Sequence, residues 1–299
     1  MSGAAVRAWL QASRLPSQAY IALPLLLGQL VAARGRGVDW PTLVGVQLFG
    51  ALDQLYIVYA NDWADQETDR HNQTATPFSG GSRVLVEGRL TPRALGVAAV
   101  VCAGGLLGVS GVLAVVRGVP LLWALAVLAL GLLWAYSYPP LRLSYRGGGE
   151  LLQMLGVAGV LPLYGYLAQG GALEVFPWAL TAMLLPTHLA CAISTALPDE
   201  PSDRLGDKRT WAVHVGGERA AWTILALNAV SWALTPGGMA AVGLGVNAGV
   251  AVSLVAGLAV VGVRPAPPGS RRMLVRVAAA ILATLALVAG AIVGLWGRA

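Results

Sequence analysis

Long apolar runs separated by short polar segments dominate the hydropathy pattern of this chain. Most of the runs are close to the twenty or so residues that a helix needs to cross the hydrocarbon core of a bilayer. The pattern predicts nine transmembrane helices, at residues 15–33, 41–60, 94–116, 119–136, 151–168, 175–197, 220–235, 239–263 and 274–296.

The composition agrees with this pattern. Hydrophobic residues make up 57% of the 299 residues and charged residues only 11%, whereas about a quarter of the residues of a soluble domain are charged. The composition therefore excludes an ordinary soluble domain. We expect a single all-α, polytopic membrane domain over residues 1–299.

The placement of the basic residues predicts the topology. Sixteen of the twenty Lys and Arg residues fall in segments on the same side as the N-terminus, and four fall on the other side: Arg34, Arg36, Arg117 and Arg298. Because cytoplasmic loops carry the excess of basic residues, the N-terminus is predicted to be cytoplasmic and the C-terminus outside, in a membrane of bacterial type. Membrane topology and the binding of phosphate explain these basic residues better than the binding of nucleic acid does. The last cytoplasmic arginines indicate contact with membrane lipid.

The segment 61–69, with the sequence NDWADQETD, ends the second predicted span. At helical pitch Asp62, Asp65 and Asp69 share one face over roughly two turns. Three neighbouring carboxylates repel one another unless cations intervene, and Mg²⁺ is commonly held by one or two carboxylates with substrate phosphates completing its shell. We interpret the segment as a divalent-metal site for a phosphorylated substrate, the alternative being a solvated helix end.

A second acidic segment, 199–210, has the sequence DEPSDRLGDKRT and follows the sixth predicted span. Its aspartates recur every four residues, which would align them on a helix. Pro198 and Pro201 limit such a helix, because proline is favourable only in the first turn. Each acidic segment thus ends the second helix of a four-span half. This arrangement resembles a duplicated plan, with halves at about 9–138 and 149–263 and a ninth helix at 274–296.

Further polar residues are unusual for their positions. Asp53 lies inside the second span, where an acid is costly and marks either a functional or a paired position; both interpretations stay open. Arg14, before the first span, is either an interface anchor or a phosphate contact. The glycine-rich loop that ends at Arg83 and the Pro-Pro loop with Arg142 and Arg146 offer guanidinium groups suited to phosphate oxygens.

Taken together, these motifs resemble the UbiA superfamily of intramembrane prenyltransferases, and most of all the dihydroxynaphthoate prenyltransferases of menaquinone synthesis. The likeness covers about residues 9–218. It rests on the two acidic motifs, on the Tyr-Ser-x-Pro-Pro loop at 136–140, and on the segments 9–14, 79–83, 145–150 and 203–210. The resemblance implies a helical bundle with a cytoplasmic cap, which transfers a polyprenyl group from a polyprenyl diphosphate to an aromatic acceptor such as dihydroxynaphthoate, with Mg²⁺.

The resemblance also implies roles for individual residues. One Mg²⁺ would be held by Asn61, Asp62, Asp65 and Asp69, and another by Asp199 and Asp203; of these, Asp62, Asp65, Asp199 and Asp203 would be catalytic. The candidates for binding the pyrophosphate are Arg83, Arg142, Arg146, Lys208 and Arg209. The candidates for the acceptor pocket are Asp53, Gln54 and Tyr136.

Other functions are less consistent with the pattern. A secondary transporter places charged residues near the bilayer midplane, whereas nearly all the acids of this chain lie at one membrane face and Asp53 is the only acid within a predicted span. A CDP-alcohol phosphotransferase would carry an Asp-Gly-x-x-Ala-Arg signature, which this sequence lacks. A catalytically inactive relative and prenyl transfer to a non-quinone acceptor are the remaining alternatives.

Overall fold

The computed structural model describes residues 2–298, and all regular secondary structure in that range is helical. The α-helices are α1 Gly3–Ala12, α2 Gln18–Ala33, α3 Trp40–Ala64, α4 Gln66–Arg70, α5 Pro92–Arg117, α6 Leu121–Ser137, α7 Gly149–Met154, α8 Leu161–Ala168, α9 Trp178–Ala196, α10 Glu200–Leu205, α11 Trp211–Val215, α12 Gly217–Ala241, α13 Ala248–Gly262 and α14 Arg271–Trp296. The predicted all-α class is confirmed.

Seven stretches within residues 2–298 are long and apolar enough to cross a membrane, and α6 and α13 are shorter apolar helices. The outer surface of the bundle carries large apolar side chains, such as Val115 and Val293, which are 83% and 75% exposed. Such an apolar exterior is typical of a surface that contacts lipid. The protein is therefore an integral, multi-pass membrane protein; the count of nine spans stays a prediction.

Local signals explain where the long helices begin. The side chains of Asp39, Thr91 and Ser270 cap α3, α5 and α14 by accepting a backbone N–H of the first turn, which satisfies a donor without an intrahelical partner. Proline occupies an early position in α3 and α5, where its fixed φ favours a helix. The Asp39 cap thus marks the start of α3, which carries the first acidic motif at its other end.

The predicted boundary between the seventh and eighth spans is wrong. We expected a break between residues 235 and 239, but α12 runs through Pro236 to Ala241 and α13 starts only at Ala248. A Pro-Gly-Gly sequence is tolerated in a membrane helix when neighbouring helices support it. Here Gly238 packs so closely on α9 that an added Cβ would lie 2.8 Å from the Cβ of Met183.

Small residues bring α2 and α8 together in the middle of the bundle. A Cβ added at Gly28 would lie 2.0 Å from the carbonyl oxygen of Pro162, and one at Gly165 would lie 2.2 Å from that of Leu25. Membrane helices commonly pack through such small residues. Between α7 and α8 the chain forms a π-helical turn, Leu155–Val160, a feature often found at functional sites. Part of this turn lines the cavity described next.

Candidate active site

One cavity of about 730 Å³ joins both acidic motifs to the interior of the bundle. Its polar end is lined by Asn61, Asp65 and Asp69 from the first motif and by Asp199 and Asp203 from the second. The other walls are largely apolar, with Ile57, Leu132, Val157, Leu161 and Leu285 among the lining residues. Asn72, which follows the first motif, contacts Asp199 of the second, 127 residues further along the chain. The two motifs thus meet at one site.

Asp62 lies at the end of α3 and is buried, with 4% of its surface exposed. Its carboxylate forms an ion pair with Arg14, and it also accepts hydrogen bonds from the backbone N–H of Ser82, at 3.2 Å, and from the Ser82 hydroxyl. Arg14 reaches it from the junction between α1 and α2, where its own φ is +41°. Asp62 is therefore neutralised by a residue from the junction between α1 and α2.

Asp65, the C-terminal cap of α3, has a different set of partners. The Nζ of Lys208 donates to its Oδ2 at 2.7 Å, and the Tyr145 hydroxyl donates to its Oδ1 at 3.0 Å. The amide of Asn61 donates to the same Oδ2 at 3.1 Å. Although burial lowers the pKa of Lys208, the charge of Asp65 raises it well above its ordinary value, so the lysine stays charged.

Asp69, in α4, has acidic neighbours. Burial, and after it the charges of Asp65 and Asp62, raise the pKa of Asp69 to about 7. The loop that follows the motif lies against this carboxylate, since a Cβ added at Gly81 would be 2.1 Å from its Oδ2. Gly81 has a φ of +70°, a conformation that glycine adopts at no steric cost.

The second motif is held mainly by neutral groups. A short 3₁₀ turn, Leu197–Asp199, leads into α10, and Pro201 occupies the first turn of that helix, where proline is tolerated. The Asn72 amide and the Gly80 N–H each donate to Asp199 at 2.8 Å. Asp203 accepts the Thr210 hydroxyl at 3.3 Å and lies 4.0 Å from Lys208.

The predicted pyrophosphate-binding residues divide into two groups. Arg83 and Lys208 line the cavity, and Arg83 donates to the carbonyl oxygens of Asp69 and Asn72 at 3.2 and 3.0 Å. The other three do not line it: Arg142 is stacked 3.5 Å above the Tyr145 ring, and Arg146 and Arg209 are exposed. The first group is therefore better placed to reach a ligand in the cavity.

All three residues predicted for the acceptor pocket, Asp53, Gln54 and Tyr136, line the cavity. Gln54 donates to the Ser17 hydroxyl at 2.6 Å. Asp53 is 3% exposed, and its Oδ1 atom has no hydrogen-bond partner in the described part of the chain.

Some residues of the site were not among the predicted ones. Asn72, Ser82 and Tyr145 contact the acids directly, and Gln11 lines the cavity. Their signal in the sequence is weak, because single polar residues in turns resemble ordinary loop residues. Only the paired glycines, Gly80 and Gly81, mark a loop that can approach a ligand or a carboxylate closely.

The side chains present fit Mg²⁺ by their chemistry. Aspartate and asparagine oxygens are the hard donors that this ion prefers, and phosphate oxygens of a substrate commonly complete its shell. Within residues 2–298 no three His, Cys, Asp or Glu side chains come close enough together to hold one metal ion. Two of the acids are instead neutralised by Arg14 and Lys208, whose positive charges a divalent cation could replace.

Comparisons of the sequence identify similar proteins. The sequence profile of the UbiA prenyltransferase family matches residues 21–266. The 1,4-dihydroxy-2-naphthoate octaprenyltransferase of Mycobacterium tuberculosis is 29% identical over 223 residues, which are 71% of this chain and 73% of that protein. The homogentisate phytyltransferase of Synechocystis sp. is 28% identical over 197 residues, 61% of this chain but only 59% of the length of that relative.

Solved structures share the fold at low sequence identity. A UbiA homolog from Archaeoglobus fulgidus, bound to GPP and Mg²⁺, has a TM-score of 0.68 and 16% identity, with 97% of this chain and 99% of that chain covered. The apo structure of a UbiA homolog from Aeropyrum pernix K1 has a TM-score of 0.69 and 18% identity, with 91% and 97% covered.

Proposed function

The chain belongs to the UbiA prenyltransferase family, and we propose that it transfers a polyprenyl group from a polyprenyl diphosphate to a hydroxylated aromatic acceptor that is a quinone precursor. Dihydroxynaphthoate is the acceptor we favour, because a relative that is 29% identical carries that compound in its name. The alternative acceptor is homogentisate, which the name of the second relative contains.

The observation that carries this proposal is the single cavity with one acidic end and largely apolar walls. A prenyl diphosphate has the same division, since a charged head is joined to a hydrocarbon tail. The apolar walls keep the tail out of water, and they also reduce the access of water to the reacting carbon. A secondary transporter is instead expected to carry its substrate and ion sites near the bilayer midplane.

We assign the polar end to the diphosphate. Once Arg14 and Lys208 have moved off Asp62 and Asp65, Asn61, Asp62, Asp65 and Asp69 would come together to hold one Mg²⁺, and Asp199 and Asp203 would hold another. When bound, the metal supplies positive charge that stabilises the departing pyrophosphate. Lys208 and Arg83 would bind the remaining phosphate oxygens and favour the same separation of charge. We also propose Arg14 for this role, since it lies at the cavity and contacts Asp62.

The same proposal includes the membrane arrangement. Nine spans, with α6 and α13 counted among them, would put the acidic end at the cytoplasmic face, under a cap formed by α4, α10, α11 and the loops beside them. A cytoplasmic N-terminus would follow from the distribution of arginines and lysines. In this orientation a water-soluble acceptor would enter from the cytoplasm and the prenyl chain from the lipid.

The test is an assay of purified protein in detergent, with geranylgeranyl diphosphate as donor and dihydroxynaphthoate or homogentisate as acceptor. We expect prenylated product with Mg²⁺ and none with EDTA. Asp62→Ala and Asp199→Ala should each reduce the rate by about a hundredfold or more, the usual cost of removing a group that stabilises developing charge. Folded variants with full Mg²⁺-dependent activity would refute the site. If the wild-type protein prenylates neither dihydroxynaphthoate nor homogentisate, the proposed function is wrong.

A further inference from the structure

Asp53 is a buried acid in a position where the protein supplies it with little compensation. It lies within α3, in the membrane-spanning part of the chain, where an ionisable group is expensive. Only 3% of it is exposed, and its Oδ1 has no hydrogen-bond partner within residues 2–298. A buried polar atom without a partner destabilises the fold, so this arrangement needs an explanation.

Asp39, on the same helix, shows what a structural acid looks like in this protein. It accepts the Thr42 N–H that caps α3 and forms an ion pair with Arg117 at 2.7 Å. Gln54, directly beside Asp53, is likewise satisfied, because its amide donates to Ser17. Asp53 therefore differs both from Asp39, the acid that caps the same helix, and from its neighbour Gln54.

The cavity brings a ligand within reach of this carboxylate, because Asp53 is one of its lining residues. Asp53, Ile57, Asn61 and Asp65 all line it, and their spacing of four residues puts them on one face of α3. Asn61 is eight residues further along, which corresponds to about 12 Å along the helix axis. Asp53 thus borders the same cavity as the acidic motif but lies deeper, beyond the reach of a cation held there.

We propose that Asp53 accepts the proton of a ring hydroxyl of the aromatic substrate during prenyl transfer. This inference rests on the proposed function and adds a catalytic residue to it. As the allylic carbon–oxygen bond breaks, its electron pair leaves with the pyrophosphate. The ring carbon then forms the new carbon–carbon bond with the allylic carbon, while the hydroxyl proton passes to the Asp53 carboxylate and the ring oxygen becomes a carbonyl.

The assignment explains why protein donors do not saturate the Asp53 carboxylate. Any permanent donor beside Asp53 would compete with the substrate hydroxyl and would make the carboxylate a weaker proton acceptor. It also defines the substrate class, since the acceptor must carry a free hydroxyl in conjugation with the carbon that is prenylated. An aryl ether has no such proton to give.

The first experiment compares Asp53→Asn with Asp39→Asn, the same chemical change on the same helix but outside the cavity. With dihydroxynaphthoate, Asp53→Asn should reduce kcat for transfer by about a hundredfold or more, as expected when a general base is removed. Pyrophosphate release without acceptor, where water captures the prenyl group, should change by less than about twofold, because the diphosphate site is intact. Asp39→Asn should leave both rates unchanged. Transfer by Asp53→Asn at the wild-type rate would overturn the proposal, as would an equal loss of pyrophosphate release.

A second experiment leaves the protein unaltered, so it decides the matter even if Asp53→Asn does not fold. The wild-type protein is assayed with the two monomethyl ethers of dihydroxynaphthoate, and we expect one of them to be prenylated about a hundredfold more slowly than the parent compound. In Asp53→Asn, replacing the parent compound by that ether should slow prenyl transfer by no more than about threefold, because the base and the proton it accepts act as one unit. If neither ether is slowed, Asp53 is not the base. Failure of the wild-type protein to prenylate dihydroxynaphthoate or homogentisate would instead contradict the proposed function.

Discussion

The two acidic motifs border the same cavity but are neutralised in different ways. In the first, Asp62 and Asp65 each have a cation, Arg14 and Lys208 respectively. In the second, Asp199 is held by the amide of Asn72 and a backbone N–H. Because a cation can move onto a phosphate whereas a backbone N–H is fixed, we expect the first motif to respond to ligands and the second to be preorganised.

The partners also cross between the motifs. Lys208, which contacts Asp65, lies within the second acidic segment, and Asn72, which contacts Asp199, follows the first. Each motif thus has a hydrogen-bond partner that lies within or next to the other motif. A change in either segment should therefore affect both motifs, and the following variants test this dependence.

The largest effect should come from Lys208→Met, which removes the positive charge between Asp65 and Asp203. Truncating one member of a buried charge pair costs about 2–5 kcal/mol, so we expect kcat/KM for the prenyl diphosphate to fall by about a thousandfold. Steady-state assays with saturating acceptor measure this value. If Lys208→Met lowers it by less than about tenfold, the lysine does not couple the motifs.

Arg204→Met is the matched control for that variant. Arg204 lies four residues from Lys208 and pairs with Glu200, but it is 59% exposed, and exposed pairs contribute about 0–1 kcal/mol. We expect a change in kcat/KM of less than about threefold. A comparable loss in both variants would indicate a general effect of basic charge at this face.

A smaller loss, of about a hundredfold in kcat, is expected for Gly81→Ala. The added Cβ would overlap Oδ2 of Asp69 and push that carboxylate or the loop away, and a displacement of about 1 Å can cost a hundredfold in rate. Gly88→Ala separates this contact from backbone strain, because Gly88 has a similar φ of +66° and nothing within 4 Å of the added Cβ. Thermal unfolding should then show that both variants lose about 1–2 kcal/mol of stability, because an L residue is strained at this φ. The loss of activity should be confined to Gly81→Ala. Equal activity in the two variants would contradict close packing of the loop on Asp69.

The helices and both motifs could be predicted from the sequence because their signals are local. A run of apolar residues, or three acids on one helical face, depends only on neighbouring positions. The partners of the acids carry no such signal: Arg14 lies 48 residues from Asp62, and Lys208 lies 143 residues from Asp65. Only the fold reveals which distant cation reaches which carboxylate.

A charged residue in a loop can be recognised from the sequence, but the direction of its side chain cannot. Arg83 and Arg142 both follow turn residues and have positive φ values, yet one borders the cavity and the other stacks on Tyr145. The misplaced break near Pro236 has a related cause, since a Pro-Gly-Gly sequence ends a helix in water but can be supported by packing in a membrane.

Asn72→Ala should have a moderate effect, because it removes a neutral donor from Asp199. Groups that hydrogen-bond to metal ligands commonly contribute about 10- to 100-fold to metal affinity or activity, so we expect the Mg²⁺ concentration for half-maximal activity to rise by about thirtyfold. The neighbouring Gln73 is exposed, and Gln73→Ala should leave this concentration unchanged. An unaltered Mg²⁺ requirement in Asn72→Ala would mean that Asp199 does not bind metal.

The smallest effect concerns pH and tests whether the first motif competes for protons. Since the pKa of Asp69 is raised to about 7, this side chain keeps its proton below that pH, and a cation must displace the proton in order to bind. The affinity for Mg²⁺ should therefore weaken as the pH falls, by about tenfold between pH 8 and pH 6, because each pH unit below the pKa changes the ionised fraction about tenfold. Calorimetric titration with Mg²⁺ and a non-hydrolysable prenyl diphosphate analogue measures it, and Asp69→Asn should abolish most of the dependence. If the variant keeps the same pH dependence, the proton belongs to another group and Asp69 is ionised throughout this range.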